Sequence, residues 1–109
     1  GMAYDEGLAQ ILRDDLADER VTEKKMFGGL CFMLAGNMLC GIHKDGAMFR
    51  VGPDNYETAL SLPGGGPMMF TGRPMKGIVD CEAEAFTDDT RRTPFLTLSL
   101  SFVKSLPPK

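Results

Sequence analysis

Three cysteines and one histidine are the residues of this sequence with the clearest chemical potential. Cys31, Cys40 and His43 lie close together in an apolar stretch, and thiolate and imidazole are ligands that zinc prefers. In an extended strand, however, Cys40 and His43 point to opposite faces, because their positions differ by an odd number. No fourth ligand follows nearby. The sequence therefore predicts no metal site and no cofactor.

The same three residues could also serve covalent or acid–base catalysis. A reactive cysteine needs an exposed, electropositive setting and a positioned base, whereas Cys31 and Cys40 stand among Met, Phe and Leu residues. His43 is the only histidine, and no partner for it is evident. We therefore predict reduced, buried thiols and no catalytic residues. The competing hypothesis is a small-molecule-binding protein or a minor enzyme that uses Cys31, Cys40 or His43.

Residues 72–77 form a short basic segment that is the best candidate for contact with a partner. Arg73, Pro74, Met75 and Lys76 place two cations, a rigid proline and an apolar side chain between two glycines. Such a loop could dock an acidic partner. It could equally be a connecting turn whose cations face water, so both interpretations remain open.

The composition is that of one globular domain. Of the 109 residues, 43% are hydrophobic and 25% are charged, and no apolar run is long enough to span a bilayer. The net charge of −3 argues against direct binding to nucleic acid. The acidic start lacks a secretion signal, and Gly1 before Met2 is predicted to be a tag remnant. We expect residues 2–109 to form one cytoplasmic domain.

Hydrophobic periodicity predicts a mixture of helices and strands. Apolar residues at three- and four-residue steps indicate an amphipathic helix over residues 4–20. A short helix is expected after Pro53, and residues 62–67 are expected to be a loop. The predicted strands are residues 24–34, 38–43, 47–51, 68–71 and 76–82.

The last segment fits two patterns. Leu96, Leu98, Leu100 and Phe102 alternate with polar residues, which is the period of a half-buried strand. Thr93-Pro94 is also a good start for a helix, and the apolar residues make a helical stripe that stops at residues 107–108. We predict a helix.

The hairpin formed by residues 24–34 and 38–43 has two possible registers. If Ala35-Gly36 occupy the turn, Cys31 lies opposite Cys40; if Gly36-Asn37 occupy it, Cys31 lies opposite Ile42. Ala35 disfavours a positive φ, so the register is left open. Both faces are apolar in the first register. Because helices on one side of a sheet cover only one face, we expect a second copy or a partner to cover part of the other. The alternative cover is the terminal helix and the long loop.

Four segments carry a family resemblance, namely KKMFGG (24–29), FRVG (49–52), FTGRPMKG (70–77) and FVKSLP (102–107). Together they resemble the N-terminal domain of the bacterial TfoX/Sxy competence regulators. The likeness spans most of the chain, and residues 70–77 are its most specific part.

The resemblance implies a two-layer fold, an antiparallel sheet with helices on one face. With the elements predicted above, the fold class is an α+β two-layer sandwich whose sheet has about five strands, in the order α-β-β-β-α-β-β-α. It also implies transcription- or competence-related regulation without catalysis, through a protein partner such as a transcription factor. The full regulators help a cyclic-AMP receptor transcription factor activate DNA-uptake genes, and they carry a second, C-terminal domain. This chain ends at Lys109, before that domain is expected, so the competence role is not carried over. We expect a stand-alone, homodimeric interaction module.

Overall fold

The structure, a computed structural model, describes residues 4–109. Gly1, the predicted tag remnant, and the start of the acidic segment lie outside the described residues. The elements in chain order are α1 (Glu6–Asp15), β1 (Val21–Met26), β2 (Gly29–Leu34), β3 (Asn37–His43), β4 (Gly46–Arg50), α2 (Tyr56–Leu60), β5 (Gly65–Phe70), β6 (Arg73–Glu82), α3 (Ala83–Phe86) and α4 (Asp89–Lys104).

The strands form one antiparallel sheet in the order β1-β2-β3-β4-β6-β5, with the helices packed against one face. This confirms the predicted α+β two-layer fold. The sheet has six strands because the predicted strand over residues 24–34 is broken in two by a turn at Phe27-Gly28. Both turn residues have positive φ, at 56° and 71°. Such turns usually carry Asn or Gly at the first position, so the phenylalanine gave no turn signal.

The helices differ from prediction at their ends. α1 stops at Asp15, before the predicted end at residue 20, and Asp5 caps its start by accepting backbone N–H bonds of 2.8 and 3.2 Å. The predicted terminal helix is confirmed, but its N-cap is Asp88, and Thr93-Pro94 lie inside it. A separate short helix, α3, precedes it. No helix in the described part of the chain is long and apolar enough to cross a membrane.

The loop predicted over residues 62–67 is shorter than expected. β5 begins at Gly65, which pairs with Cys81 in β6. A Cβ atom at Gly65 would come within 2.6 Å of the carbonyl oxygen of Ala59, so glycine allows the strand to pass close to α2. Glycines that the sequence associates with a loop therefore serve close packing here.

The core between helices and sheet is centred on Phe49 in β4. Its ring packs against Phe86 and Phe95, with centroids 6.2 and 5.6 Å away. Arg92 joins the helices at the edge of this core: its guanidinium donates to Asp15 at 2.7 Å, to Asp89 at 2.7 Å and to the carbonyl oxygen of Phe86 at 2.9 Å. Each nitrogen of this buried cation thus donates at least one hydrogen bond within the helical layer.

The hairpin of β2 and β3 adopts neither predicted register along its whole length. Ala35-Gly36 occupy the turn, with φ of 52° and 82°, and Met33 pairs with Met38 as in the first register. A bulge then shifts the pairing by one residue, so that Phe32 pairs with Cys40 and Cys31 with Gly41. Leu39 is the extra residue. Cys31 and Cys40, which lie opposite each other only in the first register, therefore belong to different clusters on the two faces.

A serine of α4 is bonded to this bulge. The buried hydroxyl oxygen of Ser99 lies 2.6 Å from the carbonyl oxygen of Leu39 and 2.9 Å from that of Arg50 in β4. Because a hydroxyl has one proton, it donates to one carbonyl at a time. Ser99 is one of the polar residues that alternate with apolar ones in the last segment. It points inward and joins the helix to the sheet, whereas Ser101 is exposed.

We predict that Ser99→Ala lowers the free energy of unfolding by about 1–2 kcal/mol, because it leaves a buried carbonyl oxygen without its donor. The exposed Ser101→Ala is the matched control, and its effect should stay within about 0.5 kcal/mol. Urea denaturation of both variants measures the difference. Equal losses in the two variants would show that the contact at the bulge adds nothing to stability.

Candidate functional site

The sheet face turned away from the helices is rich in methionine. Cys31, Met38 and Met48 are buried there, although no helical residue belongs to their cluster. Partly buried side chains from the neighbouring strands pack around them. We call the whole set the methionine face: Met26, Cys31, Met33, Met38, Met48, Met68 and Ile78.

The chain covers much of this face by itself. Met26 belongs to β1 and Met68 to β5, which are the two opposite edge strands, yet both pack against the same central cluster. The turns beside these strands also meet, since the rings of Phe27 and Phe70 lie edge to face with centroids 5.9 Å apart. The sheet therefore curls until two hairpin tips from opposite edges touch. Cys31, Met38 and Met48 are therefore buried within a single chain, and the cover of the rest of this face by a second copy or a partner stays a prediction.

Apolar exposure is concentrated at these hairpin tips. Phe27, Met69 and Phe70 are 42%, 50% and 51% exposed, and they are the exposed large hydrophobic side chains in the described part of the chain. Arg73 pairs directly with Phe70 and is also exposed. We call Phe27, Met69, Phe70, Arg73 and Lys76 the tip surface.

The predicted partner-binding segment lies on this surface, but it is not a loop. The turn is Thr71-Gly72, and Arg73, Pro74, Met75 and Lys76 form the first part of β6. Arg73, Pro74 and Lys76 are exposed, while Met75 is partly buried. Neither cation forms an ion pair with a residue between 4 and 109. The segment is therefore a strand, and its exposed cations fit either a docking surface for an acidic partner or side chains that face water.

The conformation of Phe27 is costly for its residue type. A bulky side chain with φ near 56° is an outlier, since the left-handed region favours Gly and Asn. Strained residues of this kind persist where the surroundings hold them, and they cluster at binding and switch regions. The sequence reasoning missed Phe27 as a functional candidate. The signal that could have found it is an aromatic directly before a Gly-Gly pair at a strand end.

The three cysteines are buried and unpaired. Burial raises the pKa of Cys31 to about 11 and that of Cys81 to about 12, and it raises the pKa of Cys40 as well. Cys40 faces the helices, whereas His43 lies on the other face, as predicted. Within residues 4–109 no group of three His, Cys, Asp or Glu side chains could hold a metal ion.

His43 has a partner that the sequence did not reveal. Its Nε2 lies 2.6 Å from Oδ1 of Asp80, and its Nδ1 accepts the backbone N–H of Asp45 at 3.1 Å. Asp80 belongs to β6, which is two strands away from β3 with β4 between them. Since Nδ1 accepts a hydrogen bond, Nε2 carries the ring proton and donates a hydrogen bond to Asp80. Both ring nitrogens are thus occupied, and the pair ties strands together rather than presenting a free base.

The His43–Asp80 pair lies beside an open depression of about 630 Å³. Its walls include Phe27 and Met69 of the tip surface, together with Met68. No cysteine lines it. The prediction of no catalysis stays a prediction, and the buried thiols give no support to a nucleophile here.

A second depression, of about 280 Å³, lies on the other side of Phe27. We call it the Arg50 depression, and its lining is Met26, Phe27, Met38, Arg50, Gly52, Pro53, Lys76, Gly77, Ile78 and Phe102. The Arg50 guanidinium carbon lies 5.5 Å from the centroid of the Phe102 ring, in a cation–π contact. The lining contains two cations and no carboxylate, so the depression is suited to an anion with an apolar part.

We predict that all three thiols react at pH 8 at least about 100-fold more slowly than free cysteine, because burial excludes the reagent and the raised pKa values leave little thiolate. A maleimide time course read by mass spectrometry measures this. Labelling in guanidinium chloride is the control and should modify all three cysteines quickly. A single fast thiol in the folded protein would restore the enzyme hypothesis.

Comparison with known proteins identifies the family of the chain. No curated protein and no solved structure gives a significant match. The TfoX N-terminal domain family matches residues 12–103, which include every strand of the sheet and all four helices in whole or in part. The chain belongs to the TfoX N-terminal domain family.

Proposed function

We propose that the domain is a regulatory protein-interaction module that binds a partner through the tip surface. The observation that carries this proposal is the exposure of three large apolar side chains at two hairpin tips that meet from opposite sheet edges. Membership of the family supports a transcription-related setting, and a transcription factor is the proposed partner class. The proposed location is the cytoplasm, where unpaired thiols stay reduced.

The strain at Phe27 supports a binding role over a purely structural one. A residue chosen for stability at this turn position would be Gly or Asn. Retaining an aromatic side chain that is 42% exposed costs energy in the free domain. Binding recovers such a cost, because aromatic side chains that become buried at an interface contribute strongly to affinity.

The edges of the sheet favour contact through side chains over extension of the sheet. β1 carries Glu23, Lys24 and Lys25, all exposed, and β5 carries Pro67, which lacks a backbone donor. Charges and proline on edge strands oppose pairing with another strand. The proposed contact is therefore made by the tip surface and not by a seventh strand.

Self-association, which the sequence predicts, is a second candidate occupant of the tip surface. A two-fold contact would bury the exposed apolar side chains, but it would also bring Arg73 and Lys76 of both copies into one interface. Like charges at close range repel, and salt screens the repulsion. A dimer formed this way is expected to be weak and to strengthen with salt.

We predict that Phe27→Asn removes partner binding while changing the free energy of unfolding by less than about 1 kcal/mol. Relief of the left-handed strain offsets the lost ring contact with Phe70. The measurements are urea denaturation and quantitative mass spectrometry of proteins retained by the immobilised domain from a bacterial lysate. Lys25→Gln, on the same hairpin and outside the tip surface, is the control. An unchanged set of retained proteins in Phe27→Asn would contradict the proposal.

The double variant Arg73→Glu/Lys76→Glu tests the predicted partner-binding segment separately. We expect it to lose the same retained proteins, because its charges reverse beside Phe70. Full retention in this variant would remove these two cations from the proposed contact.

We predict that light scattering at high micromolar concentration detects a dimer of the 11.9 kDa chain, with a larger dimer fraction in 0.5 M NaCl than in 0.05 M NaCl. Phe27→Asn should shift the distribution towards monomer. A wild-type domain that remains monomeric at both salt concentrations would rule out self-association through this surface.

A further inference from the structure

The cations of the helical layer and those of the sheet differ in whether they form ion pairs. Those of the helical layer are paired, namely Arg13 with Glu6 and Glu23, Arg91 with Asp88, Arg92 with Asp15 and Asp89, and Lys104 with Glu19. In contrast, the sheet residues Lys24, Lys25, Arg50, Arg73 and Lys76 have no ion pair among residues 4–109. Although the net charge is −3, the lining of the Arg50 depression carries Arg50 and Lys76 and no carboxylate.

Arg50 is the best placed of these unpaired cations. Arg50 is partly buried as a residue, its guanidinium lies over the ring of Phe102, and the group donates no hydrogen bond to a described residue. Such a group is already partly desolvated and fixed in direction, so an incoming carboxylate can form two parallel hydrogen bonds with little loss of side-chain freedom. Lys76 adds a second positive charge to the lining of the same depression.

We infer that the Arg50 depression receives the carboxylate of an acidic residue in a partner protein, with an apolar neighbour of that residue lying on Phe27. This inference deepens the proposed function and rests on it. The volume of about 280 Å³ is small for an independent small-molecule site, since such sites usually enclose about 300–1,000 Å³. It is sufficient for one acidic side chain.

A segment of a partner fits the surroundings better than a free anion or a second copy. Phe27 lines both depressions, so chain on either side of the anchored acid would continue over an exposed aromatic ring. A free carboxylate would leave that ring in water. A second copy meeting this face with the same face would set cation against cation. The recognised feature is therefore an Asp or Glu flanked by large apolar residues.

The test is a selection of twelve-residue peptides from a random phage-displayed library against the whole domain. Recovered sequences should be enriched in an Asp or Glu next to Leu, Ile, Met or Phe. A synthetic fluorescent copy of a recovered peptide is then titrated by anisotropy. Arg50→Gln and Lys76→Gln should each weaken binding about tenfold or more, since hydrogen bonds to charged groups are lost. Lys25→Gln, another unpaired cation of the sheet, should change binding less than about twofold.

The peptide with its acid replaced by Gln or Asn should bind the wild type and Arg50→Gln equally weakly, because the two changes remove the same contact. Rising salt should weaken binding of the acidic peptide, whereas it should strengthen self-association of the domain. Thermal unfolding of each variant shows that the fold is intact.

The outcomes separate this inference from the proposed function. One outcome is a set of peptides that lose binding to Phe27→Asn and yet contain no acid, or that bind Arg50→Gln as tightly as the wild type. Such peptides would overturn the inference but still support the tip surface. Binding that needs Arg50 but not Phe27 would overturn the tip surface, and with it the part of the inference that places an apolar residue on Phe27. Competition by free acetate or benzoate at micromolar concentration would identify a small-molecule site and contradict a protein segment. Recovery of no binding sequence would count against the inference as well.

Discussion

The extra residue at Leu39 determines what each face of the sheet carries. The bulge turns Cys40 and Ile42 towards the helices while Cys31 and Met38 stay on the methionine face. Ser99 of α4 bonds to the carbonyl oxygen of Leu39, so the helical layer and the register of β3 are coupled. Bulges also increase the local twist of a sheet, and a strongly twisted sheet can bring its opposite edges together. The contact between Phe27 and Phe70 is in keeping with such a twist.

Because one chain covers the second face of its own sheet, the apolar side chains that remain exposed lie elsewhere. A flat sheet with two apolar faces would need a second layer, but here Met38 and Met48 are already buried. What remains exposed is confined to the hairpin tips, where flexible Met69 stands beside two aromatic rings and two unpaired cations. Methionine adapts its shape to different partners, and aromatic rings supply contact area. The same curl also creates the two depressions on either side of Phe27.

Local sequence patterns predicted most of the helices and strands, whereas they did not predict contacts between residues that are far apart in the sequence. The apolar stripe of α1 and the terminal helix were found, and the basic segment from Arg73 was placed at the surface. The turn at Phe27 was missed because its first residue disfavours the conformation it adopts. The bulge was missed because its anchor, Ser99, lies far along the chain and alternates with exposed polar residues. The His43–Asp80 pair depends on the sheet order, which brings β6 beside β4, and no local periodicity encodes that order.

The central claim is that a single chain closes its own methionine face by bringing two hairpin tips together. Nuclear Overhauser contacts between ring protons of Phe27 and Phe70, measured on a dilute sample with labelled methionine methyl groups, test it most directly. The account predicts a strong contact between the two rings, and methyl groups of Met38 and Met48 that a soluble paramagnetic agent does not reach. Absence of the ring contact, together with rapid relaxation of both methyl groups by the agent, would contradict it.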